Sequence, residues 1–305
     1  MQQVSMNGGQ QAPDVCVVLT NWNGANHTIP CVESLRGSDY PNFHILVVDD
    51  GSTDGSPERI GRRFPDVEIL RQPANMGVSK ARNRGIARAA ELGSDYVVFL
   101  DNDTKVDRSL ISHLVTTARA HDNAVAVGPK IYYLHDRSRL WFAFGQLSLW
   151  TGIYRNPVFG ATDQGQFDQE REMEVASSCC LLVPTRVLQV VGGFDPNYTW
   201  NEDVDWSLRC RRAGFPLVFC PRGRVWHEVG GSSQKQRAAS MRYLLTRNQL
   251  WTFRKVVRPW QMVSISIVYP FRAILRILAM IAGRQWECIP AELRGAKEGL
   301  FAPLK

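Results

Sequence analysis

Short apolar runs, each cut off by a polar cluster, alternate along the first hundred residues with segments of helical period. Val15-Cys16-Val17-Val18-Leu19 stops at Thr20-Asn21-Trp22-Asn23-Gly24. Ile45-Leu46-Val47-Val48 stops at Asp49-Asp50-Gly51-Ser52-Thr53-Asp54-Gly55. Val97-Val98-Phe99-Leu100 stops at Asp101-Asn102-Asp103. Unbroken runs of this length read as strands buried on both faces. A shorter strand is expected over 67–70. Between the strands the pattern predicts three helices. The first runs over 26–35, capped by Asn26, with Pro30 near its first turn. The second opens with Ser56 as cap, Pro57 at the first helical position and Glu58 in the first turn. The third spans 79–92 and carries Lys80, Arg82, Arg84 and Arg88. Alternating strands and helices predict the α/β class, a mostly parallel sheet with helices on both faces. Ligands of such sheets lie beyond the carboxyl ends of the strands, where the three polar endings converge.

The second half is less regular. From 131 to 174, Trp141, Phe142, Phe144, Trp150, Tyr154 and Phe159 are spread among Gly, Ser and Thr, which predicts meander strands and a flexible loop near 160–169. These aromatics would pack a small second sheet or stack on a sugar. A strand over 176–184, a short helix over 185–191 and a tight turn at Gly192-Gly193-Phe194-Asp195 follow. Asn201-Glu202-Asp203-Val204-Asp205 then opens another helix. Acids in a first helical turn complement the dipole, but three of them exceed what a helix start requires. Strands at 217–220 and 224–227 lead to His227. Gly230-Gly231-Ser232-Ser233 follows it and suits a closing lid.

Chemistry enters with Asp101 and Asp103. Two apart in extended backbone, their carboxylates share a face and repel unless a cation lies near. Oxygen ligands of this kind suit Mg²⁺ or Mn²⁺, ions that clamp phosphates. A net charge of +7 and a pI near 9.2 point to an anionic partner. No block of like charge is long enough for a nucleic-acid tail, so nucleic acid is not expected. The first turn has Gly24 alone and lacks the G-x-G-x-x-G fingerprint; no G-x-x-x-x-G-K-[ST] occurs. Hydride transfer and P-loop chemistry are therefore disfavoured. The seven cysteines form no C-x-x-C pair and are odd in number, which fits a reducing cytosol. Residues 1–12 are polar, lack an apolar signal core and are expected to be flexible.

With these residues in view, the chain resembles the family-2 glycosyltransferases of the GT-A fold, the nucleotide-diphospho-sugar transferase variant of a Rossmann-like sheet. The likeness is greatest to the bacterial rhamnosyltransferase-like branch that builds cell-surface polysaccharide. Its carriers are V-V-L-T-N-W-N-G, V-V-D-D-G-S-T-D-G-S, N-M-G-V-S-K-A-R-N-R-G-I, F-L-D-N-D, G-G-F-D, N-E-D-V-D-W-S-L-R and V-W-H-E-V-G-G-S. The resemblance implies a catalytic domain over 13–235 and an inverting, metal-dependent transfer from a nucleotide-sugar donor to a glycan or lipid-linked acceptor. It implies that Thr20 with Asp49 or Asp50 holds the base and ribose, with Trp22 where Tyr is common. Asn75, Gly77 and Arg82 would line the nucleotide side. Asp101 would face the ribose beside Asn102, Asp103 would bind the Mg²⁺ or Mn²⁺, and His227 would complete the metal-diphosphate shell. Asp203 matches the catalytic base, and Glu202 would position the acceptor. Cys179-Cys180 departs from the usual small residue followed by Cys. A non-catalytic nucleotide-sugar-binding subunit on the same fold is the alternative. A nucleotidyltransferase would need an early glycine-rich basic loop, which is lacking.

The remaining stretch, 236–305, predicts helices. One spans 241–257, and Arg258-Pro259 breaks it. Residues 260–271 then run without charge for too short a distance to cross a bilayer. Arg272 and Arg276 beside Ile274, Leu275, Ile277, Leu278, Met280 and Ile281 make a basic amphipathic pattern. It suits the anionic inner surface of the plasma membrane, packing on the catalytic domain, or a homodimer partner.

Overall fold

The computed structural model describes residues 11–229 and 234–303. In chain order the elements are β1 (Val15–Asn21), α1 (Ala25–Arg36), β2 (Phe43–Asp49), α2 (Ser56–Arg63), β3 (Glu68–Arg71), α3 (Val78–Leu92), β4 (Tyr96–Asp101) and β5 (Thr104–Val106). Next come α4 (Leu110–Ala120), β6 (Ala126–Tyr133), β7 (Leu140–Phe142), β8 (Gln146–Ser148), β9 (Ile153–Arg155), β10 (Arg171–Met173), β11 (Cys180–Pro184), α5 (Thr185–Val191), α6 (Glu202–Arg212) and β12 (Leu217–His227). Three helices follow: α7 (Gln234–Val256), α8 (Pro259–Ala282) and α9 (Cys288–Phe301).

The main sheet runs β10-β12-β6-β11-β4-β1-β2-β3. β4, β1, β2 and β3 are parallel, as are β6 and β12, while β11 lies antiparallel between β4 and β6. Unbroken apolar runs suit this sheet because each strand feeds two cores. Val15, Val17 and Leu19 of β1 point into one core with Cys31, Val32 and Leu35 of α1, Ile60 of α2 and Leu114 of α4. Cys16 and Val18 point into the other with Ala81 and Ala89 of α3, Val187 of α5 and Trp206 of α6. Period-2 alternation divides the strand between the two faces. Helix α3 lies so close that a Cβ on Gly85 would meet Val18 Cγ1 at 2.3 Å.

Several sequence expectations are corrected. Gly24, not Asn26, precedes the first turn of α1, and Asn26 Oδ1 instead accepts from Arg59. Pro30 lies inside that helix. Gly55, with φ +76°, takes the cap position of α2, so Ser56 is its first residue. The 217–220 and 224–227 strands are one strand, β12, kinked by a bulge between Cys220 and Arg224. The 160–169 loop is fastened: Lys130, 1% exposed in its side chain, pairs with Asp163 at 2.7 Å and Asp168 at 2.5 Å, and Tyr132 Oη donates to Asp163 at 2.6 Å. Ala12, expected in a flexible terminus, accepts a hydrogen bond from Asn42 Nδ2 at 2.7 Å. Residues 1–10 and the lid expected at 230–233 lie outside the described residues.

The largest correction concerns the C-terminal region. Helix α8 does not stop at Phe271 but continues through both arginines for 24 residues, about 36 Å. By length and composition it is therefore long enough to cross a membrane. Its arginines do not form the outward basic face that the sequence predicts. Arg276 pairs with the buried Glu292 of α9 at 2.6 Å, and Arg272 donates to the Gly152 carbonyl at 3.2 Å. One side of α8 packs on the globular body, where Ile265 and Tyr269 share a core with Val204 and Leu208 of α6 and Leu250 and Phe253 of α7.

Candidate active site

The carboxyl ends of β1, β2 and β4 open into one crevice, closed on the far side by the start of β11, the first turn of α6 and the end of β12. Beneath it a chain of polar side chains ties these ends together. Asn21 Nδ2 donates to Asp49 Oδ1 at 2.7 Å, Thr28 Oγ1 donates to Asn21 Oδ1 at 2.7 Å, and Asn102 Nδ2 donates to Thr28 Oγ1 at 2.8 Å. Asn21 and Thr28 are fully buried, and sequence reasoning passed over both. They fix where the acids of β2 and β4 emerge.

Arg82 of α3 is the hub. Only 3% exposed, it reaches Asp101 Oδ1 through Nη2 at 2.7 Å and Glu202 Oε1 through Nη1 at 2.8 Å. A planar guanidinium presents two nitrogens in a fixed fork, so each acid is held by its own N–H. Phe194, of the Gly-Gly-Phe-Asp turn, stacks its ring 5.4 Å from the Arg82 guanidinium carbon. Glu202 Oε1 also accepts from Ser178 Oγ at 3.3 Å. Arg82, expected along the nucleotide, is taken up by the two acids.

At the end of β4, oxygen, sulfur and nitrogen donors of Asp101, Cys179 and His227 lie within 4.8 Å of one another. Asp103 adds a carboxylate 3.1 Å from His227 Nε2. The His227 ring packs edge-on to Trp141 at 4.7 Å, and its Nδ1 is buried without a partner. Two carboxylates and an imidazole whose Nδ1 has no partner fit a divalent cation. Asp101, expected at a ribose, joins the donors expected of Asp103 and His227. Cys179 stood out beforehand only as part of the Cys179-Cys180 departure from the family pattern. Burial raises the Asp101 carboxyl despite Arg82. Burial alone would lower His227, but its hydrogen bond to Asp103 and the two acids outweigh that and raise it.

Asp203 stands half-buried at the first turn of α6. Desolvation first, and the charge of Glu202 second, push its carboxyl from 3.8 up to about 7. The dipole does not keep it in the ordinary range, because the surrounding protein outweighs it. Asp205 pairs with Arg209 at 2.8 Å.

The other nucleotide-side residues divide. Thr20 is partly buried at the end of β1, and Trp22 is 54% exposed at the rim. Asn75 is exposed on a loop, and Gly77, at φ +90°, opens α3. Asp49 is only 1% exposed; its oxygens hold Asn21 and the backbone and hydroxyl of Ser52, so it shapes the turn. Asp50 accepts from Gln72 Nε2, Met76 N and Gly77 N at 2.8–2.9 Å and fastens the 74–77 loop. Both acids, expected at the base and ribose, are thus held in place by neighbouring donors at the ends of β2 and the 74–77 loop. A cavity of about 620 Å³, lined by Gln146, Ser148, Arg155, Arg171, Glu172 and Glu174 among others, shares no residue with the crevice. The clustered acids, not cavity size, locate the chemistry.

Residues 16–185 match the family model described as glycosyl transferase family 2. The chain belongs to that family. It is 30% identical over 243 residues to the N-acetylglucosaminyl-diphospho-decaprenol L-rhamnosyltransferase of Mycobacterium tuberculosis, covering 74% of this chain and 79% of that protein. Glycosyltransferase AglE of Haloferax volcanii is 25% identical over 272 residues, 87% of this chain and 80% of that one. Two solved structures share the GT-A fold. The mannosyltransferase of Pyrobaculum calidifontis, in complex with GDP-Man and Mn²⁺, has a TM-score of 0.59 at 16% identity, covering 95% of this chain and 88% of the other. S. aureus TarS, in complex with UDP-GlcNAc, has a TM-score of 0.64 at 13% identity, covering 94% and 81%. Family membership makes this chain a rhamnosyltransferase-like glycosyltransferase, with the mostly parallel sheet that the resemblance implied.

Proposed function

We infer that the protein is an inverting glycosyltransferase that moves a sugar from a nucleotide-diphosphate donor, dTDP-rhamnose or a UDP-sugar, to a hydroxyl of a glycan or lipid-linked acceptor. The product belongs to cell-surface polysaccharide, assembled on the cytoplasmic side of the membrane. The observation that carries the reading is the pairing of two acid sites across one crevice, the Asp101–Asp103–His227 donors and the Asp203 carboxyl held near 7. The decaprenyl-diphosphate relative supports a lipid-linked acceptor, and the Mn²⁺ in the mannosyltransferase complex supports a divalent cation.

Asp101, Asp103 and His227 would hold Mn²⁺ or Mg²⁺, which when bound neutralises a diphosphate leaving group. Asp203 takes the proton of the acceptor hydroxyl as its oxygen bonds to the anomeric carbon. The bond from that carbon to the diphosphate breaks, and the nucleotide diphosphate leaves. A single displacement with one base inverts the anomeric centre. A base near 7 is matched to neutral pH. Arg82, tied to Asp101 and Glu202, fixes the spacing between the two acid sites. Thr20, Trp22, Asn75, Gly77 and Asn102 line the nucleotide side.

A thermal-shift screen with nucleoside diphosphates and Mn²⁺ tests the reading. A ligand at 100 times its Kd adds about 2.7 kcal/mol of stability. The expected result is a rise in Tm that needs both nucleotide and metal; no rise with any nucleoside diphosphate would contradict it.

A further inference from the structure

Helix α8 has two opposed faces. At about 100° per residue, Trp260, Val263, Ile267, Phe271, Ile274, Leu275, Leu278 and Ile281 fall within an arc of about 120°. Each is between 40% and 68% exposed. No charged residue lies in that arc, and α8 carries no Asp or Glu. The two charges of the helix, Arg272 and Arg276, lie on the opposite arc and bond to Gly152 and Glu292. Each end of the stripe carries an exposed tryptophan with an exposed arginine two residues before it. Arg258 stacks on the Trp260 ring at 5.2 Å, and Arg284 precedes Trp286, 58% exposed.

We propose that this stripe is a lipid-docking surface, seated in the plane of a bilayer with its apolar side chains among the acyl chains. Tryptophan and arginine at both ends fit the headgroup layer, where amphipathic rings and snorkelling guanidinia reside. The inner face of α8 remains packed on the body through Ile265, Tyr269 and Arg276, so the helix lies along the surface instead of crossing. Attachment is by apolar insertion and not by basic residues, so salt leaves it intact. The docked helix shares a core with Val204 and Leu208 of α6, the helix that begins with Glu202 and Asp203. Docking thus holds the first turn of α6 one layer above the headgroups, within reach of a membrane-anchored acceptor. This last step rests on the lipid-linked reading; the docking itself does not.

The test is flotation of the full chain with vesicles of neutral phosphatidylcholine and of phosphatidylcholine with phosphatidylglycerol, without donor or acceptor. The protein is expected to float with both and to remain bound in molar salt. Phe271→Asp and Leu275→Asp should each lower the partition coefficient at least about tenfold, with wild-type circular dichroism because both side chains are already exposed. Turnover of a soluble acceptor should not change. Release by salt, or flotation of both variants at wild-type level, would overturn the proposal. So would a dimer in solution that Phe271→Asp converts to monomer, which assigns the stripe to a second copy, or resistance to alkaline carbonate, which means a spanning helix. Failure of flotation leaves the catalytic reading standing, and failure of turnover leaves the docking standing.

Discussion

Replacing Arg82 by Met isolates the hub of the site. The guanidinium is 3% exposed and forms hydrogen bonds of 2.7 and 2.8 Å to Asp101 and Glu202. Methionine fills much of the volume but leaves two carboxylates facing each other without a counter-charge. Removing one partner of a buried pair costs about 3–5 kcal/mol. The Asp101 side chain is 29% exposed and the Glu202 side chain 11%, so water relieves part of this and the lower end, about 3 kcal/mol, is expected. For a chain of this size that lowers Tm by roughly 5 °C. The loss has a pH signature. Burial already raises the Asp101 carboxyl and Arg82 opposes that rise; without Arg82 the rise is larger, so the folded state loses more stability as pH climbs. The variant should lie closest to wild type near pH 5 and fall furthest behind near pH 8, as proton linkage requires. Arg82→Met combined with Glu202→Gln should recover about half of the loss, because the remaining acid no longer faces a second charge. Differential scanning fluorimetry of the three proteins across pH measures all of this. An Arg82→Met protein with wild-type Tm at pH 8, or a double variant no better than the single, would refute the ion-pair account.

Asp203→Asn should be more stable than wild type by about 1–2 kcal/mol at pH 8, after discounting for solvent around a half-buried group. The Asp203 carboxyl sits near 7 in the folded state against 3.8 ordinarily, so the wild type loses stability as pH climbs from about 4 through 7; urea titrations at pH 4 and pH 8 would show a gain only at the higher pH. For the same reason kcat/KM of the wild type should rise about tenfold per pH unit below neutrality and level off above about 7, and a flat profile between pH 5 and 7 would contradict the base assignment. His227→Ala should weaken Mn²⁺ binding to the folded protein at least about tenfold, measured by titration calorimetry. Gly85→Ala forces a methyl against Val18 and should cost about 1–3 kcal/mol in chemical denaturation; a neutral result would mean that α3 can shift outward.

The strands and the crevice were legible because burial on both faces leaves an unbroken apolar run, and the end of burial is marked by abrupt polarity. Asp101, Asp103, Asp203 and His227 stood out for the same reason: charged groups at the ends of apolar strands or at a helix start. What the sequence left open was direction. Glu202 and Asp203 are adjacent, yet one turns in to Arg82 and the other stays at the mouth, a division set by tertiary contacts with Ser178 and Arg82. Asp49 and Asp50 read as ligands, and the turn and loop amides that also bond them could not be read from the sequence. Arg272 and Arg276 read as a basic outer face, but Glu292 lies far along the chain, and its burial draws Arg276 inward. A composition pattern records which residues a helix carries; only the fold records which face is covered.

The most direct test of the central claim is the anomeric configuration of the product, read by NMR from reactions of wild type and Asp203→Asn with a nucleotide-sugar donor, Mn²⁺ and a hydroxyl acceptor. The account predicts a product inverted relative to the donor and a variant slowed about 10²–10⁴-fold with donor affinity nearly unchanged. A retained configuration, or an Asp203→Asn enzyme that turns over at the wild-type rate, would contradict it.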